Sequence, residues 1–313
     1  MSQKRLVIAG GSGFIGRALA REFAARGFAV MVLTRSPRQR RDGVQEAGWD
    51  GVHPGAWTTL LEGAEAIINL TGKNINCPHT PENLRDITGS RVDSVRAIAN
   101  ALGQAKLPPR LWVQASAVGF YGDTGDAICD ESTPVGSDTL AKVCQQWEAA
   151  FAAARAPTTR KVTLRIGFVL GRHGGALPVL TKLTRCFLGG AAGSGRQYLS
   201  WIHLEDLVAM FVASVEEEDL SGTFNAVGPQ AVTNGQFMRT LRQALHRPWS
   251  PPAPALAVKL GARLLGSEAS LALVSQRCVP KRFLAGGFKF KFGEVVSALR
   301  DLCRPIAADE SRY

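Results

Sequence analysis

The chain has 313 residues, 45% of them hydrophobic, which suffices for one large core or two modest ones. Its net charge of +11 would suit nucleic acid if it were clustered, but arginines crowd only within residues 35–41, so we expect neither a nucleic-acid nor a membrane partner. The six cysteines lack metal-ligand and CxxC spacing, and the first residues fit neither a signal peptide nor a membrane span, so we expect a cytoplasmic protein without a structural metal.

The first predicted elements form a βαβ unit of about 30 residues. Residues 5–9 are a short apolar run that ends in glycines, and residues 17–25 repeat apolar side chains at helical spacing. Gly27 closes this helix, and residues 28–33 form a continuous apolar run, typical of a parallel strand covered on both faces.

The same alternation continues along the chain. Further strands are predicted at residues 64–70, 111–117 and 162–170, with helices at 81–102 and 138–154 between them. This pattern predicts an α/β fold with a doubly wound parallel sheet, a Rossmann fold. The glycine-rich residues 189–195 indicate a mobile loop, and four prolines within 248–254 indicate a boundary. We therefore predict a dinucleotide-binding domain at 1–247, a smaller C-terminal substrate lobe at 248–303 and a tail at 304–313.

The turn after the first strand carries the strongest motif. Gly10, Gly13 and Gly16 lie at three-residue spacing, and Gly11, Gly13 and Gly16 satisfy GxGxxG directly between a strand and a helix. A dinucleotide pyrophosphate needs free backbone N–H groups at a helix N-terminus and a close approach of the chain. We expect the cofactor contacts here to come from Gly10, Gly11, Ser12, Gly13, Phe14, Ile15 and Gly16.

The end of the second strand indicates which dinucleotide binds. An NAD enzyme usually presents an acidic residue to the ribose 2′-hydroxyl, whereas an NADP enzyme presents basic groups to the 2′-phosphate. Here the sequence is Thr34, Arg35, Ser36, Pro37, Arg38, without a carboxylate. The sequence therefore favours NADP (NADPH), with contacts from Thr34, Arg35, Ser36 and Arg38.

Several longer segments resemble the extended short-chain dehydrogenase/reductases, and within them the atypical branch of epimerase-family proteins. The resemblance covers nearly the whole chain and rests on residues 10–16, 69–72, 116–122, 164–171, 201–206 and, for a C-terminal domain of unknown function, 248–302. It implies a substrate lobe over the nicotinamide end of the cofactor, and it implies that Leu70, Thr71 and Gly72 run past the adenine and ribose. It does not identify a substrate.

The catalytic pattern of that superfamily is broken in this chain. Active members use a Tyr-x-x-x-Lys pair in a helix, in which the lysine lowers the pKa of the phenol that shuttles a proton. Here Leu140 takes the tyrosine position and Cys144 the lysine position, while Lys142 lies about 200° around the helix from Leu140. The remaining candidates for proton transfer follow the fifth strand: Tyr121, with a pocket wall as the alternative, and Ser116, with an exposed hydroxyl as the alternative.

Two functions remain open on this evidence. The first is an NADP-dependent oxidoreductase or epimerase acting by hydride transfer on a hydroxylated or nucleotide-linked small molecule. The second is a catalytically inactive NADP-binding sensor or interaction protein, which the missing pair favours. Arg196, Lys281 and Arg282 are candidates for holding an anionic substrate, whereas Asp123, His203 and Asp206 fit turns and helix starts.

Overall fold

The computed structural model describes residues 3–264 and 266–304. Its strands are β1 (Arg5–Ala9), β2 (Ala29–Thr34), β3 (Gln45–Gly48), β4 (Ala66–Asn69), β5 (Leu111–Ala117), β6 (Ile128–Cys129), β7 (Arg160–Ile166), β8 (Phe168–Leu170), β9 (Tyr198–Leu199), β10 (Trp201–His203), β11 (Gly222–Ala226), β12 (Val232–Thr233) and β13 (Arg277–Cys278). Its helices are α1 (Phe14–Ala25), α2 (Pro81–Gln104), α3 (Thr139–Ala153), α4 (Leu177–Arg185), α5 (Leu204–Glu216), α6 (Asn234–Ala244), α7 (Ala255–Leu264), α8 (Ser270–Leu273), α9 (Lys281–Ala285) and α10 (Val295–Cys303). Two short 3₁₀ helices cover Ala56–Leu61 and Val118–Tyr121.

Seven parallel strands form the central sheet in the order β11-β7-β5-β4-β1-β2-β3. The chain moves outward from β1 through β2 and β3, then returns to the other side of β1 to form β4. The strand order therefore reverses beside β1, and ligands of open α/β sheets bind at such a reversal, beyond the carboxyl ends of the strands. The predicted doubly wound Rossmann sheet is confirmed.

Side chains along the buried strands alternate between the two faces of the sheet, so each face has its own apolar layer. Leu6 and Ile8 point into the layer covered by α1 and α5, where Phe23 and Phe211 are fully buried. Val7 and Ala9 point into the opposite layer, covered by α2 and α3. Because both faces of the sheet are buried, apolar residues predominate along the central strands.

The strand predicted at residues 162–170 is wrong as a single element. β7 stays in the central sheet, but after Gly167 the chain leaves it, and β8 pairs with β10 instead. A Cβ atom at Gly167 would overlap the carbonyl oxygen of Ser200. The close approach of these two backbones therefore requires glycine at the point where the chain changes sheets.

A separate apolar cluster combines residues of β10, α6 and α10. Phe237 of α6 and Leu299 of α10 are fully buried there, together with Trp201. This cluster joins residues from both sides of the boundary predicted at residue 248. Of the predicted tail, only Arg304 is described, and residues 305–313 lie outside the described part of the chain.

The predicted loop at residues 189–195 is irregular, but its glycines serve close packing. Gly190 lies directly against the carbonyl group of Pro251, and Ala253 exchanges backbone hydrogen bonds with Ala191 and Gly193. The loop is thereby attached to the proline-rich segment.

In the part of the chain that the structure describes, no helix combines the length and the apolar character needed to cross a membrane.

Candidate dinucleotide site and neighbouring polar network

Three of the four glycines in the phosphate turn are required by packing. Gly10 has a φ of +75°, in the left-handed region that favours glycine. A Cβ at Gly11 would lie 2.7 Å from a methyl group of Val32, and one at Gly16 would lie 2.5 Å from the Cα of Gly11. Because Gly11 and Gly16 have no side chains, the turn packs directly against β2 and α1 lies close to the turn.

Gly13 differs from the other three, because a Cβ there would meet only the carbonyl oxygen of Gly10, at 3.5 Å. Gly13 is the N-cap of α1, without a side-chain cap, and the first turn has no acidic residue. The first N–H groups of a helix lack intrahelical partners, so those of Phe14, Ile15 and Gly16 are available to a ligand. An open glycine before an uncapped helix N-terminus fits the pyrophosphate of a dinucleotide.

The Phe14 side chain ties this turn to a later loop. Its ring occupies the space that a Cβ would need at Gly171 and at Gly174, which follow β8. The ring therefore sits in a notch that exists only because these positions are glycines.

The predicted ribose-binding residues lie beside the turn. Arg35, Ser36 and Arg38 are exposed, and the Thr34 hydroxyl lies 3.4 Å from that of Ser12. Among the described residues, neither Arg35 nor Arg38 has a carboxylate partner within salt-bridge distance, whereas Arg40 pairs with Asp42 and Glu46.

Sequence analysis missed one carboxylate near this site, because β3 was not predicted. β3 pairs with β2 and brings Glu46 beside the arginine segment. One oxygen of Glu46 accepts a hydrogen bond from the Arg38 backbone N–H at 2.9 Å, and the other pairs with Arg40 at 3.3 Å. Since both oxygens are engaged within the protein, Glu46 braces the loop.

The end of β4 packs against the phosphate turn. A Cβ at Gly10 would lie 3.1 Å from the backbone N of Thr71, so residues 70–72 and the turn share one edge. Asn69 shapes this end: its Oδ1 accepts from Thr71 N at 3.0 Å, and its amide donates to Gln114 at 3.0 Å. The Thr71 hydroxyl is buried and has no partner among the described residues. The structure thus brings the predicted residues Leu70, Thr71 and Gly72 to the edge of the sheet that carries the phosphate turn, which is the expected cofactor edge.

A buried polar row crosses three neighbouring strands farther along the same edge. Ser116 of β5, Arg165 of β7 and Asn225 of β11 are paired in register. Arg165 binds Glu148 of α3 through two hydrogen bonds of 2.9 and 2.8 Å, and Ser116 donates to the same carboxylate at 2.6 Å. A bidentate Arg–carboxylate pair of this kind has fixed geometry.

Tyr121 completes this network from the 3₁₀ helix that follows β5. Its hydroxyl donates to Asn225 Oδ1 at 2.7 Å and accepts from Arg165 at 2.9 Å, and the residue is 3% exposed. Burial raises the pKa of the Tyr121 phenol to about 12, although the charge of Arg165 opposes this. These contacts favour a structural role for Tyr121, and proton transfer by Tyr121 or Ser116 stays a prediction.

The positions of the missing Tyr-x-x-x-Lys pair also lie beside this 3₁₀ helix. A Cβ at Gly119 would be 3.7 Å from the Cys144 sulfur and 3.9 Å from the Leu140 Cβ, so both residues face it. Burial raises the pKa of the Cys144 thiol to about 12, and Lys142 is exposed. The thiol is therefore neutral at pH 7 and supplies no charge.

Three of the network residues have functions that sequence analysis did not predict: Glu148, Arg165 and Asn225. A signal existed for Arg165, a charged residue inside the apolar run of β7, because buried charges require partners. The identity of those partners required the fold, since they come from α3, the 3₁₀ helix and β11.

Of the other candidate anion-binding residues, one is exposed and two are engaged with protein partners. Arg196 is exposed, Lys281 pairs with Asp130 at 2.7 Å, and Arg282 donates to the carbonyl groups of Thr223 and Ser221.

Of the residues predicted to serve turns and helix starts, His203 and Asp123 do so, whereas the Asp206 carboxylate, in the first turn of α5, accepts hydrogen bonds from the backbone N–H groups of Lys291 and Phe292 at 2.7 and 3.0 Å. His203 caps α5 by accepting from Glu205 N at 3.1 Å. Asp123 accepts from Gly125 N at 3.1 Å in a turn.

Residues 6–227 match the model of the NAD dependent epimerase/dehydratase family, and residues 253–302 match a domain of unknown function, DUF1731. Human epimerase family protein SDR39U1 is 34% identical over 305 residues, covering 95% of this chain and 99% of that protein. The crystal structure of human SDR39U1 (isoform 2) with NADPH matches at a TM-score of 0.84 and 32% identity, covering 96% of this chain and 99% of that one. A nucleoside-diphosphate sugar epimerase from Corynebacterium glutamicum matches at 0.75 and 31%, covering 95% of this chain and 57% of that one. The chain therefore belongs to the NAD-dependent epimerase/dehydratase family and has its NAD(P)-binding fold.

Proposed function

We propose that this protein is an NADP(H)-dependent oxidoreductase or epimerase-like enzyme that acts on a hydroxylated or nucleotide-linked small molecule. The observation that carries the proposal is the uncapped N-terminus of α1 behind the open Gly13, with Arg35 and Arg38 at the end of β2. The similar human SDR39U1 was crystallised with NADPH, which supports NADP over NAD. The similar bacterial protein named a nucleoside-diphosphate sugar epimerase supports the substrate class.

Each part of the site has a distinct task in this proposal. The N–H groups of Phe14, Ile15 and Gly16 would hold the pyrophosphate, and Arg35 and Arg38 would bind the 2′-phosphate. When bound, the nicotinamide supplies or accepts a hydride. The network around Arg165 fixes the carboxyl ends of β5, β7 and β11, where the substrate would be oriented. Tyr121 and Ser116 remain the candidates for moving a proton.

The second candidate function is an NADP-binding sensor or interaction protein without catalysis. It is favoured by one observation: the two helix positions that carry proton transfer in the superfamily are Leu140 and Cys144, and both are packed against Gly119. Mixing the protein with NADPH and a panel of carbonyl compounds, and following NADPH absorbance, separates the two. Consumption of NADPH supports the enzyme, whereas tight binding without consumption across the panel supports the sensor.

The cofactor preference is tested by Arg35→Asp. An added carboxylate repels the 2′-phosphate and removes a charge-assisted hydrogen bond, so we expect NADPH affinity to fall about tenfold to a hundredfold. NADH affinity should change far less. Calorimetric titration of both nucleotides gives the two values. Arg110→Asp, an equal charge change at the amino end of β5, should affect neither. Equal losses for NADPH and NADH in Arg35→Asp would rule out Arg35 as the discriminating residue.

A further inference from the structure

Arg91 of α2 is a partly buried cation at the cofactor edge. One terminal nitrogen of its guanidinium donates to the carbonyl oxygens of Lys73 and Ile87, at 3.0 and 2.9 Å. A Cβ at Gly72 would lie 2.9 Å from the Arg91 Cζ, so the guanidinium lies against the Gly72 backbone. The position of Arg91 thus depends on a glycine that the sequence already associates with the cofactor.

The guanidinium has no anionic partner within residues 3–264 and 266–304. No carboxylate stabilises its charge, and no hydrogen bond is made by its Nε or its second terminal nitrogen. Burial lowers the pKa of Arg91, yet a guanidinium remains protonated in proteins. Arg165 shows the usual solution, because its buried charge is satisfied by Glu148. Arg91 therefore has two donor groups left for a ligand.

The location of Arg91 determines which part of a dinucleotide it can reach. The phosphate turn follows β1, and the arginines assigned to the adenosine ribose lie on one side of it, after β2. Arg91 lies on the other side, against Gly72 after β4. Because a dinucleotide extends in both directions from its pyrophosphate, the strand order puts the nicotinamide riboside on the β4 side, which differs from the adenine and ribose that the family resemblance implied for residues 70–72.

Arg91 also lies close to the vacated lysine position. Its Cζ is 5.0 Å from the centre of the Trp147 ring on α3, one turn beyond Cys144. Cys144 and Trp147 lie about one turn apart on α3, so the guanidinium over the Trp147 ring lies near the Cys144 thiol, and its charge opposes the rise in the pKa of that thiol. A positive charge is thus present beside position 144, but it comes from α2.

We propose that Arg91 binds the nicotinamide riboside half of NADP(H), with its free guanidinium edge donating hydrogen bonds to that half. It supplies from α2 the positive charge that Cys144 does not supply from α3. This inference rests on the proposed function, since it requires a dinucleotide in the cleft. Arg91 is a binding residue in this role and transfers no proton, because its guanidinium stays protonated.

The test compares whole and half cofactors in Arg91→Met, with Arg96→Met as the matched control on the same helix, where Arg96 is exposed and pairs with Asp93. The probes are NADPH and adenosine 2′,5′-bisphosphate, which lacks the nicotinamide riboside together with the phosphate attached to it. We expect Arg91→Met to weaken NADPH about tenfold to a hundredfold. The bisphosphate should bind within about twofold of the parent value, because it does not reach Arg91. Arg96→Met should change neither affinity.

If Arg91→Met weakens the binding of both ligands equally, Arg91 only supports the fold of the site. If NADPH affinity is unchanged, Arg91 makes no contact with the cofactor. Either result overturns the inference. If Arg91→Met does not fold, Arg91→Lys provides the same comparison, because it keeps the charge but lacks the forked edge. Selective loss of NADPH affinity in Arg91→Lys supports the inference, and parent affinity for both ligands overturns it. A parent protein that binds the bisphosphate but not NADPH overturns this inference alone, whereas one that binds neither overturns the proposed function as well.

Discussion

Gly13 and Gly16 occupy neighbouring positions of one turn but are required for different reasons. Gly16 is needed by the protein, since its Cα lies against the Gly11 backbone. Gly13 borders open space, so the need for glycine there comes from the ligand. Substitutions at the two positions should therefore have separable effects on stability and binding.

We expect Gly13→Val to abolish NADPH binding while lowering the free energy of unfolding by no more than about 1 kcal/mol. Its branched side chain would fill the space that the pyrophosphate needs, but it would contact few atoms of the protein. Fluorescence titration with NADPH and urea unfolding measure the two effects. The matched control, Gly16→Ala, should lose about 1–3 kcal/mol of stability, because its methyl group overlaps the backbone of Gly11. Parent-like NADPH affinity in a folded Gly13→Val protein would contradict the assignment of the turn.

Tyr121→Phe separates a proton donor from a structural residue. The substitution removes only the hydroxyl, which leaves Arg165 and Asn225 each without one partner, so we expect a loss of about 1–3 kcal/mol in stability. Because both sides of the hydroxyl are already bonded within the protein, we expect turnover of any carbonyl substrate to be largely retained. Thermal unfolding and steady-state rates are measured on the same preparation.

The control for this change is Tyr198→Phe. The Tyr198 hydroxyl makes no hydrogen bond within the described residues, so its removal should leave stability unchanged. General acid catalysis typically contributes about 10²–10⁴-fold. A fall in turnover of that size in Tyr121→Phe, with NADPH affinity intact, would instead establish Tyr121 as the proton donor.

At the level of elements, α2 and α3 together determine what position 144 can hold. Arg91 from α2 lies over the ring of Trp147, about one turn from Cys144 on α3, and so places a positive charge near that position. A lysine introduced there would bring a second buried cation next to the first. We therefore expect that restoring the superfamily pair by changes in α3 alone would destabilise the protein.

A double-mutant cycle tests this coupling. We expect Cys144→Lys to lower the free energy of unfolding by about 3 kcal/mol or more, because two like charges share a poorly solvated site. Cys144→Lys combined with Arg91→Met should recover at least about 1 kcal/mol of that loss, as measured by urea unfolding. Cys144→Met, which adds bulk without charge, is the control. If Arg91→Met gives no recovery, the two side chains are not neighbours in the way described.

Elements with strong local signals could be predicted from the sequence, whereas others depended on distant contacts. β1 and β5 match their predicted bounds, because β1 is apolar from Leu6 to Ala9 and β5 is mostly apolar, with Gln114 and Ser116 as its polar residues. β3 is a short strand of partly exposed residues at the sheet edge, so it lacks the apolar run that predicts a buried strand. The division between β7 and β8 at Gly167 reflects the approach of Ser200, more than 30 residues later.

The same distinction holds for the site. The phosphate turn is a local pattern of glycines between a strand and a helix, so its residues could be identified before the fold was known. Glu148, Arg165 and Asn225 acquire their roles only when three separate elements meet. Arg91 had no local signal, because an arginine in a helix is usually exposed and its burial comes from the packing of α2 against α3.

Across the whole molecule, Glu268 joins two segments that are 189 to 192 residues apart in sequence. It lies between α7 and α8, and its carboxylate accepts a hydrogen bond from the backbone N–H of His79 at 3.2 Å, while its own N–H donates to Asn76 at 3.3 Å. Asn76 and His79 belong to the loop between β4 and α2. This bridge therefore connects the cofactor edge of the sheet to the C-terminal segment.

We expect Glu268→Ala to increase hydrogen–deuterium exchange in residues 73–80, by about tenfold, because losing this charge-assisted bond costs roughly 1.5 kcal/mol of local stability. Saturating NADPH should restore part of the protection, since a ligand that binds only the ordered site stabilises it. Glu217→Ala, an exposed acidic residue at the end of α5, should leave exchange in residues 73–80 unchanged. Parent-like exchange in Glu268→Ala would show that the bridge does not hold the loop.

The ring of Phe14 carries an evolutionary consequence. Because it fills the notch at Gly171 and Gly174, the choice of residue at one end of the chain restricts the choice at positions more than 150 residues away. Once Phe14 has been replaced by a smaller side chain, larger residues can be accommodated at both positions 171 and 174. If either glycine is replaced first, the new side chain must displace the Phe14 ring. Substitutions at these three positions should therefore appear in families of sequences in a fixed order, with position 14 changing before the other two.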